Sequence, residues 1–415
     1  MQGTHLEPDA SSNRSSTGLV LTAPPAPVYI LRGHVACINA LTFSPDALSL
    51  YSGDADGWVA IWDLITFRPR AFWKAHDAGV LTIEPLGPTG LVTHGRDNMV
   101  RHFTLPSTEL SITRVAASAV PSPKNPTTIN PDWQMDVNAL AFSKMSLLLL
   151  SSTTTQQALV AVPALTKDEL IDIFHLPSHS RIHRSIGADT FPIGDKTGTV
   201  MTLKLFVPPQ SSSKSPLHLL AGYEDGRVAH FRFVGPAIEA TEPPSRKRDE
   251  GQGWELIWDV KCHREAVMDL ALMPDKQNAW SCGADHYLCK YNLFSLQESE
   301  RYNKLETPYP GRSSLSVRDD GRLLAVTGWD GELRLYSGKT GKPLAVLSYH
   351  RSSLQASAFS PLPSNSTVTQ TQRQQHSDLD KLDDSEDDMS NSRAWLAVGG
   401  KDERISLWEP YPLSE

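Results

Sequence analysis

Histidine and aspartate residues at regular spacing are the first sign of chemistry in this sequence. His34 and Asp56 together resemble a general base and its orienting carboxylate. An active site occurs once in a chain, whereas the aspartate of this pair belongs to a pattern that recurs. In each copy, an Asp lies six residues before an aromatic residue. The recurring pairs are Asp56 and Trp62, Asp97 and Phe103, Asp225 and Phe231, Asp285 and Tyr291, Asp330 and Tyr336, and Asp402 and Trp408. The recurrence favours a structural hydrogen bond repeated in each copy of a small unit.

The segment from Gly33 to Asp63 shows what this unit is. Residues 38–43 alternate apolar with small or polar side chains, and Ser44-Pro45-Asp46 has turn chemistry. Asp56-Gly57 separates two apolar runs, which is a strong signal for a β-hairpin. Because so small a sheet cannot bury both of its faces, we expect the unit to pack against copies of itself.

Gly33-His34 at the start of the unit and Trp62-Asp63 at its end resemble WD repeats, which form β-propellers. The resemblance implies a hydrogen-bonded chain of His, Ser or Thr, Asp and Trp inside each blade. The matching residues are His34, Ser52, Asp56 and Trp62, then His76, Thr93 and Asp97, then His263, Ser281 and Asp285, with Asp330, Asp402 and Trp408 in more divergent units. Val326, Val398 and Ala221 stand at the hydroxyl position, so we expect incomplete networks in those blades.

The fold predicted for residues 27–412 is an all-β, seven-bladed WD40 β-propeller, with six blades as the alternative. The chain of 415 residues accommodates seven units of about 40 to 50 residues each. The strand at 27–31 should complete the last blade and close the ring. Blade three is degenerate, because residues 135–143 repeat the first strand of the template whereas residues 151–155 contain no turn Asp.

Several segments are too polar or too rich in proline to form a core. Residues 1–26 are predicted to be a disordered tail, and loops are expected at about 106–131, 208–216 and 236–253. An acidic insertion at about 363–393 is also predicted to be disordered. Within it, Ser377 and Ser385 each precede an acidic residue by three positions, so they are candidate phosphorylation sites. Arg246-Lys247-Arg248 is either a nuclear import signal or an ordinary exposed loop.

Charge and composition disfavour several function classes. A net charge of −8 argues against direct binding of nucleic acid or anionic membrane. No apolar run approaches the roughly 20 residues of a membrane span, and the first residues lack the order of a secretory signal. The four cysteines form no CxxC pair, so buried thiols in a reducing compartment are expected rather than zinc.

No residue set supports catalysis, a cofactor or a metal. His175, His179 and His183 have helical spacing, but Pro177 would interrupt a helix, so an exposed loop is expected there. The Gly-x-Ser-x-Gly motif of a serine nucleophile is missing from the sequence. We therefore expect a protein that is not an enzyme.

Aromatic side chains beside the turn aspartates are the candidate partner-binding residues. They are Trp58, Tyr223, Tyr287 and Trp329. The turns between the second and third strands of every blade should open on one face of the ring, where these rings would form a patch suited to a protein interface. The alternative is that each ring packs on a neighbouring blade.

From Pro27 to about Pro412 the sequence resembles the fungal ASTRA-associated protein 1 family, relatives of a G-protein-β-subunit-like WD protein in animals. The segments that carry the resemblance are 31–34, 54–63, 93–98, 220–226 and 397–402. It implies a non-catalytic nuclear scaffold subunit of the ASTRA assembly, linked to chromatin remodelling and to the maturation of phosphatidylinositol-3-kinase-related kinases. The implied partners are remodelling or kinase co-chaperone subunits, and the cytoplasm is a further location.

Two other classes stay open. A G-protein-β-like signalling adaptor would need a long N-terminal coiled coil, but the Ser- and Pro-rich first residues contain no heptads. A propeller that binds nucleic acid or ribosomes would show a basic face.

Overall fold

Seven four-stranded antiparallel sheets make up the computed structural model of this chain. It describes residues 25–105, 120–138, 142–150, 157–188, 190–191, 196–209, 216–235, 251, 253–362 and 394–410. The prediction of an all-β, seven-bladed propeller is confirmed, and the six-bladed alternative is wrong. The predicted tail and the acidic insertion, with Ser377 and Ser385, lie outside the described residues, as does Arg246-Lys247-Arg248.

Twenty-eight strands and one short helix are present in the described residues. They are β1 (Tyr29–Arg32), β2 (Ile38–Phe43), β3 (Ser49–Asp54), β4 (Trp58–Asp63), β5 (Arg68–Lys74), β6 (Val80–Leu86), β7 (Gly90–Gly95), β8 (Met99–Thr104), β9 (Trp133–Asp136), β10 (Ser146–Leu150), β11 (Gln157–Pro163), β12 (Ile171–Leu176), β13 (Ser180–Ile186), β14 (Val200–Phe206), β15 (His218–Tyr223), β16 (Arg227–Phe233), β17 (Trp254–Lys261), β18 (Val267–Leu272), β19 (Asn278–Gly283), β20 (Tyr287–Asn292), α1 (Glu298–Arg301), β21 (Tyr302–Glu306), β22 (Arg312–Val317), β23 (Leu323–Gly328), β24 (Glu332–Ser337), β25 (Pro343–Ser348), β26 (Leu354–Phe359), β27 (Leu396–Gly400) and β28 (Arg404–Trp408).

Blades one to six each consist of four consecutive strands, beginning with β2, β6, β10, β14, β18 and β22. Blade seven combines β26, β27 and β28 with β1. At six of the seven junctions between blades, the first strands of the two neighbours contact one another, so they line a central channel. Because the strands of a blade alternate in direction, the turns between second and third strands lie on the same face of the ring as the connections between blades. The turns between first and second strands, and between third and fourth strands, lie on the opposite face.

Burial between blades supplies the core. Among the described residues, seven clusters of buried apolar side chains each join two neighbouring blades. Both faces of a blade are therefore covered, which explains why middle strands such as β3, β7 and β15 are buried along their whole length.

Ring closure depends on β1, as the sequence predicts. It pairs antiparallel with β28, from Tyr29 opposite Leu407 to Arg32 opposite Arg404. Leu31 is 1% exposed and packs in the cluster that joins blades seven and one. The pairing removes the free edge that β28 would otherwise present.

Blade three is complete, which corrects the prediction that only its first strand survives. Trp133–Asp136 is the outer strand of blade two, because it pairs with β8, with Met99 opposite Asp136. The described strands of blade three begin at Ser146. The repeat-like residues 135–143 therefore span the junction between two blades. Residues 139–141 lie outside the described part of the chain.

The three histidines at helical spacing lie in a β-hairpin, so the expected exposed loop is wrong for two of them. His175 is in β12, His183 is in β13, and His179 is in the turn between these strands. His183 is 2% exposed. No helix in the described residues is long and apolar enough to cross a membrane.

Shortening Leu31 to Ala should weaken ring closure. We expect a loss of about 2–5 kcal/mol in the free energy of unfolding, because a buried aliphatic side chain leaves a cavity. Urea denaturation followed by tryptophan fluorescence measures it. Val35→Ala is the matched control, because Val35 is 55% exposed and its change should stay within about 0.5 kcal/mol. Equal unfolding midpoints for the two variants would contradict a closing role for β1.

Candidate functional site

The histidine and aspartate residues of blade one belong to a series of buried hydrogen bonds that runs from Trp62 through Ser52 and His34 to Asp54. Trp62 Nε1 donates to Ser52 Oγ at 2.7 Å. His34 Nε2 lies 2.7 Å from the same hydroxyl, and His34 Nδ1 lies 2.7 Å from Asp54 Oδ2. Since a carboxylate only accepts, Nδ1 carries the proton and Ser52 donates to Nε2. Both ring nitrogens are therefore occupied inside the blade.

The carboxylate in this chain is Asp54, so the assignment of Asp56 is wrong. Asp54 is 0% exposed, and its Oδ1 also accepts from the backbone N–H groups of Asp56 and Trp58 at 3.0 Å. The side chain of Asp56 is exposed. The turn passes through Gly57 at φ +87°, a conformation that glycine adopts readily. In this turn the Asp54 carboxylate reaches both the N–H groups of Asp56 and Trp58 and the imidazole of His34.

Blades two and five hold the same chain with their Asp at the expected position. In blade two, His76 lies 2.8 Å from Asp97 and 2.7 Å from Thr93. In blade five, His263 lies 3.0 Å from Asp285 and 2.7 Å from Ser281. Tyr291 replaces Trp in blade five, with its hydroxyl 2.8 Å from that of Ser281.

Blade seven has a full network although Val398 stands at the hydroxyl position, so the expected loss is wrong there. Val398 pairs across the sheet with Ser406. Ser406 Oγ lies 2.8 Å from His350 Nε2 and accepts from Trp408 Nε1 at 2.8 Å. His350 Nδ1 lies 2.9 Å from Asp402 Oδ1. The hydroxyl has moved to the neighbouring strand and joins the same two rings.

In blade six, arginine binds the turn aspartate. Arg334 donates to both oxygens of Asp330, at 2.6 and 3.1 Å. In blade two, Arg101 reaches Asp97 at 2.5 Å in addition to the histidine. Asp225 of blade four lies 3.4 Å from Arg227 and 3.6 Å from Lys261. The turn carboxylates are therefore neutralised locally in blades with and without histidine.

The electrostatics of these groups fit structural roles. Burial lowers the pKa of His76 and of His350, and the bonds to aspartate only partly oppose this. Burial works against ionisation of Asp97, but hydrogen bonds from His76 and Arg101 outweigh it and lower the pKa of that carboxyl. His94 is 0% exposed, and burial lowers its pKa to about 3. Both ring nitrogens of His76 and of His350 are occupied by hydrogen bonds inside their blades. The nitrogens of His94 have no hydrogen-bond partner among the described residues, but its burial keeps this imidazole neutral and out of contact with solvent. These histidines are therefore poor candidates for acid–base chemistry.

Cys262, His263 and Cys289 come together in blade five, which their sequence spacing did not indicate. Their possible ligand atoms lie within 4.8 Å of one another. However, both nitrogens of His263 are bonded to Asp285 and Ser281, and the sulfur of Cys262 lies 2.5 Å from the hydroxyl of Tyr291. Structural zinc takes four protein ligands, so the cluster is better explained as packing around Tyr291.

The surface feature that suits binding is the mouth of the central channel. In six blades the first two strands shift register by one residue near their start, which leaves one bulged residue opposite no partner. These residues are Asn39, Leu81, Met201, Met268, Ser313 and Gln355, and all six line one cavity of about 480 Å³. A bulge redirects its side chain, so the repeat itself presents a ring of side chains at this mouth. In the sequence, the bulged position becomes recognisable only when the first strands of the blades are aligned with one another.

The mouth has an apolar and a polar half. Blades two to five supply Leu81, Phe142, Met201 and Met268, whereas blades six, seven and one supply Ser313, Gln355 and Asn39. Trp329, Ser353, Lys144 and Lys401 complete the lining.

Trp329 is the predicted partner-binding residue that reaches the mouth. It is 43% exposed, and its backbone N–H donates to Gly311 O at 3.0 Å. A Cβ on Gly311 would lie 2.3 Å from the indole, so the ring packs directly on the glycine backbone. Phe142, which sequence reasoning missed, is 58% exposed and lies 4.2 Å below the Arg96 guanidinium.

The other predicted aromatics do not form a shared patch. Tyr223 is 0% exposed, so an exposed role for it is wrong. Trp58 is half-buried and packs at 5.8 Å on Phe72. The Tyr287 ring lies 3.5 Å from the Lys304 ammonium.

These features define a WD-repeat β-propeller protein whose histidine–aspartate pairs hold its blades together. The family described as WD domain, G-beta repeat matches residues 25–63. ASTRA-associated protein 1 of Aspergillus niger is 33% identical, over 94% of this chain and 98% of its own length. That of Schizosaccharomyces japonicus is 27% identical over 93% and 99%, and mouse guanine nucleotide-binding protein subunit beta-like protein 1 is 29% identical over 94% and 97%. The chain belongs to the ASTRA-associated protein 1 family.

Asp54 and Asp56 give a direct test of the corrected network. Asp54→Ala should cost about 3 kcal/mol in the free energy of unfolding, because it leaves buried donors of His34 and the turn unsatisfied. Asp56→Ala removes an exposed side chain and should change it by less than about 0.5 kcal/mol. Chemical denaturation compares the two, and a larger loss for Asp56→Ala would restore the original assignment.

The displaced hydroxyl of blade seven predicts a rescue. Ser406→Ala should lower the free energy of unfolding by about 1–3 kcal/mol, because His350 and Trp408 lose a buried partner. Adding Val398→Thr places a hydroxyl on the opposing strand and should restore about 1 kcal/mol. Val398→Thr alone, the control, should destabilise by burying a surplus hydroxyl. A double variant no more stable than Ser406→Ala would show that the hydroxyl position is not interchangeable.

Proposed function

We propose that this protein is a non-catalytic scaffold subunit of a nuclear multiprotein assembly of the ASTRA type. The observation that carries the proposal is the similarity to proteins named ASTRA-associated protein 1, which extends through the ring rather than through one repeat. The proposed work of the assembly is chromatin remodelling and the maturation of phosphatidylinositol-3-kinase-related kinases, in the nucleus with the cytoplasm as a further location.

Two physical features support a scaffold. The histidine–aspartate pairs are buried and bonded within their blades, as His34 and His263 illustrate. The open cavity at the channel mouth is lined by exposed aromatic and methionine side chains, which favour protein contacts. Partners are accordingly other protein subunits, and the net charge of −8 favours them over nucleic acid.

A G-protein-β-like signalling adaptor is the second candidate. The name of the mouse relative, guanine nucleotide-binding protein subunit beta-like protein 1, favours it. Its weakness is the Ser- and Pro-rich sequence before residue 27, which contains no heptads for pairing with a γ-type helix.

Affinity purification of the tagged chain from nuclear extract distinguishes these functions. We expect remodelling ATPases or kinase co-chaperones in the eluate, identified by mass spectrometry. Ribosomal proteins alone, or G-protein γ subunits alone, would contradict the scaffold proposal.

A control separates true partners from chaperones that bind any unfolded bait. Leu31→Ala weakens ring closure, so at a temperature that unfolds this variant and spares the wild type, subunits that bind the folded ring should be lost. General chaperones should instead increase on the variant.

A further inference from the structure

We propose that the channel mouth binds a linear segment of a partner protein in which an aromatic or long aliphatic side chain is flanked by carboxylates. This inference rests on the proposed scaffold function and names the chemistry of one contact through which the scaffold would work.

The apolar side chains of the mouth, which include Trp329 of blade six, fit the anchor side chain. Phe142 and Trp329, from blades three and six, are 58% and 43% exposed, an unusual state for large aromatic side chains. Met201 and Met268 line the same cavity, and methionine side chains adapt readily to different shapes. The cavity of about 480 Å³ falls in the range of pockets that enclose a ligand, roughly 300 to 1,000 Å³.

The polar half fits the backbone of an extended segment. Asn39 and Gln355 place carboxamide groups at the mouth, and each carboxamide provides both donors and an acceptor. Ser313 is already bonded, with its hydroxyl 2.9 Å from that of Thr327. The three bulged polar residues come from the adjacent blades six, seven and one, which orients a segment whose anchor points toward Met201 and Met268 of blades four and five.

The charge of the mouth selects acidic flanks. Its two charged lining residues are lysines, and no carboxylate lines it. Lys144 is paired with Asp269 at 2.7 Å. Lys401 is exposed, and in the described part of the chain no ion pair involves it. The Arg96 guanidinium over Phe142 adds a further positive charge.

Two acidic residues that directly follow basic residues of this surface are directed into the blades. Asp97 follows Arg96 and is bonded to His76 and Arg101. Asp402 follows Lys401 and is bonded to His350. The charged residues that line the cavity are thus both positive, on a chain with a net charge of −8. A basic segment would be repelled by the Lys401 ammonium and the Arg96 guanidinium, so we infer an acidic one.

Short fluorescein-labelled peptides of glycine and serine test this chemistry. Three probes share a length: a central Phe flanked by Asp, the same Phe flanked by Lys, and a central Ala flanked by Asp. Binding to the full chain is measured by fluorescence anisotropy at low ionic strength. The Asp-flanked Phe peptide should bind about tenfold more tightly than either of the others. Equal affinity for the Asp- and Lys-flanked peptides would overturn the proposal.

Variants of the mouth assign the binding site. Lys401→Glu should weaken the Asp-flanked peptide about tenfold and strengthen the Lys-flanked one, and Trp329→Ala should weaken both. Lys339→Glu is the matched control, because Lys339 is exposed in the turn between β24 and β25 on the opposite face. Circular dichroism verifies that each variant is folded. If Lys401→Glu and Lys339→Glu bind alike, the mouth is not the site.

Affinity purification with the Lys401→Glu, Trp329→Ala double variant separates this inference from the scaffold function. Loss of one subunit that the wild type and Lys339→Glu retain supports binding at the mouth. Recovery of the complete assembly by the double variant overturns the inference and leaves the scaffold function intact. If the wild type recovers no such assembly while the peptide preferences hold, the scaffold function alone has failed.

Discussion

Mutual burial between neighbouring sheets is the constraint on which the rest of this structure depends. A four-stranded blade has two apolar faces and no core of its own, so each blade relies on both neighbours to exclude water from them. The requirement is satisfied in every position only because β1 joins β28 and turns a row of blades into a ring. The channel and its mouth exist as a result, since first strands can surround an axis only in a closed ring.

Within this ring the hydrogen-bond chains are defined by geometry rather than by fixed sequence positions. Blade seven obtains its hydroxyl from Ser406 on the neighbouring strand, and blade one obtains its carboxylate from Asp54. Blade five replaces an indole N–H by the hydroxyl of Tyr291. In each case a buried polar group finds a partner of the right type within reach, which is the condition that burial imposes.

Sequence reasoning predicted the class of fold because its signals are local and repeated. The turn glycines and alternating runs of the template unit determine hairpins, and their recurrence indicates a propeller. It failed where a choice depended on contacts across strands. Asp54 and Asp56 are both compatible with the turn, and only the position of His34 selects between them. The strand at Trp133–Asp136 was assigned to the wrong blade, because strand order after a long connection is a tertiary property. The sequence indicates Trp329 as a candidate binding residue, but it does not predict the rest of the channel mouth, because the lining residues come from seven different blades.

The shared seventh blade has a consequence for how the protein is made. Among the described strands, the one that closes the ring is synthesised first, and its partner β28 is synthesised last. Until β28 has been synthesised, β1 lacks the strand with which it pairs, and unpaired strand edges are open to wrong pairing. Closure of the ring around the channel mouth therefore waits for β28, although most of the residues that line the mouth have been synthesised earlier.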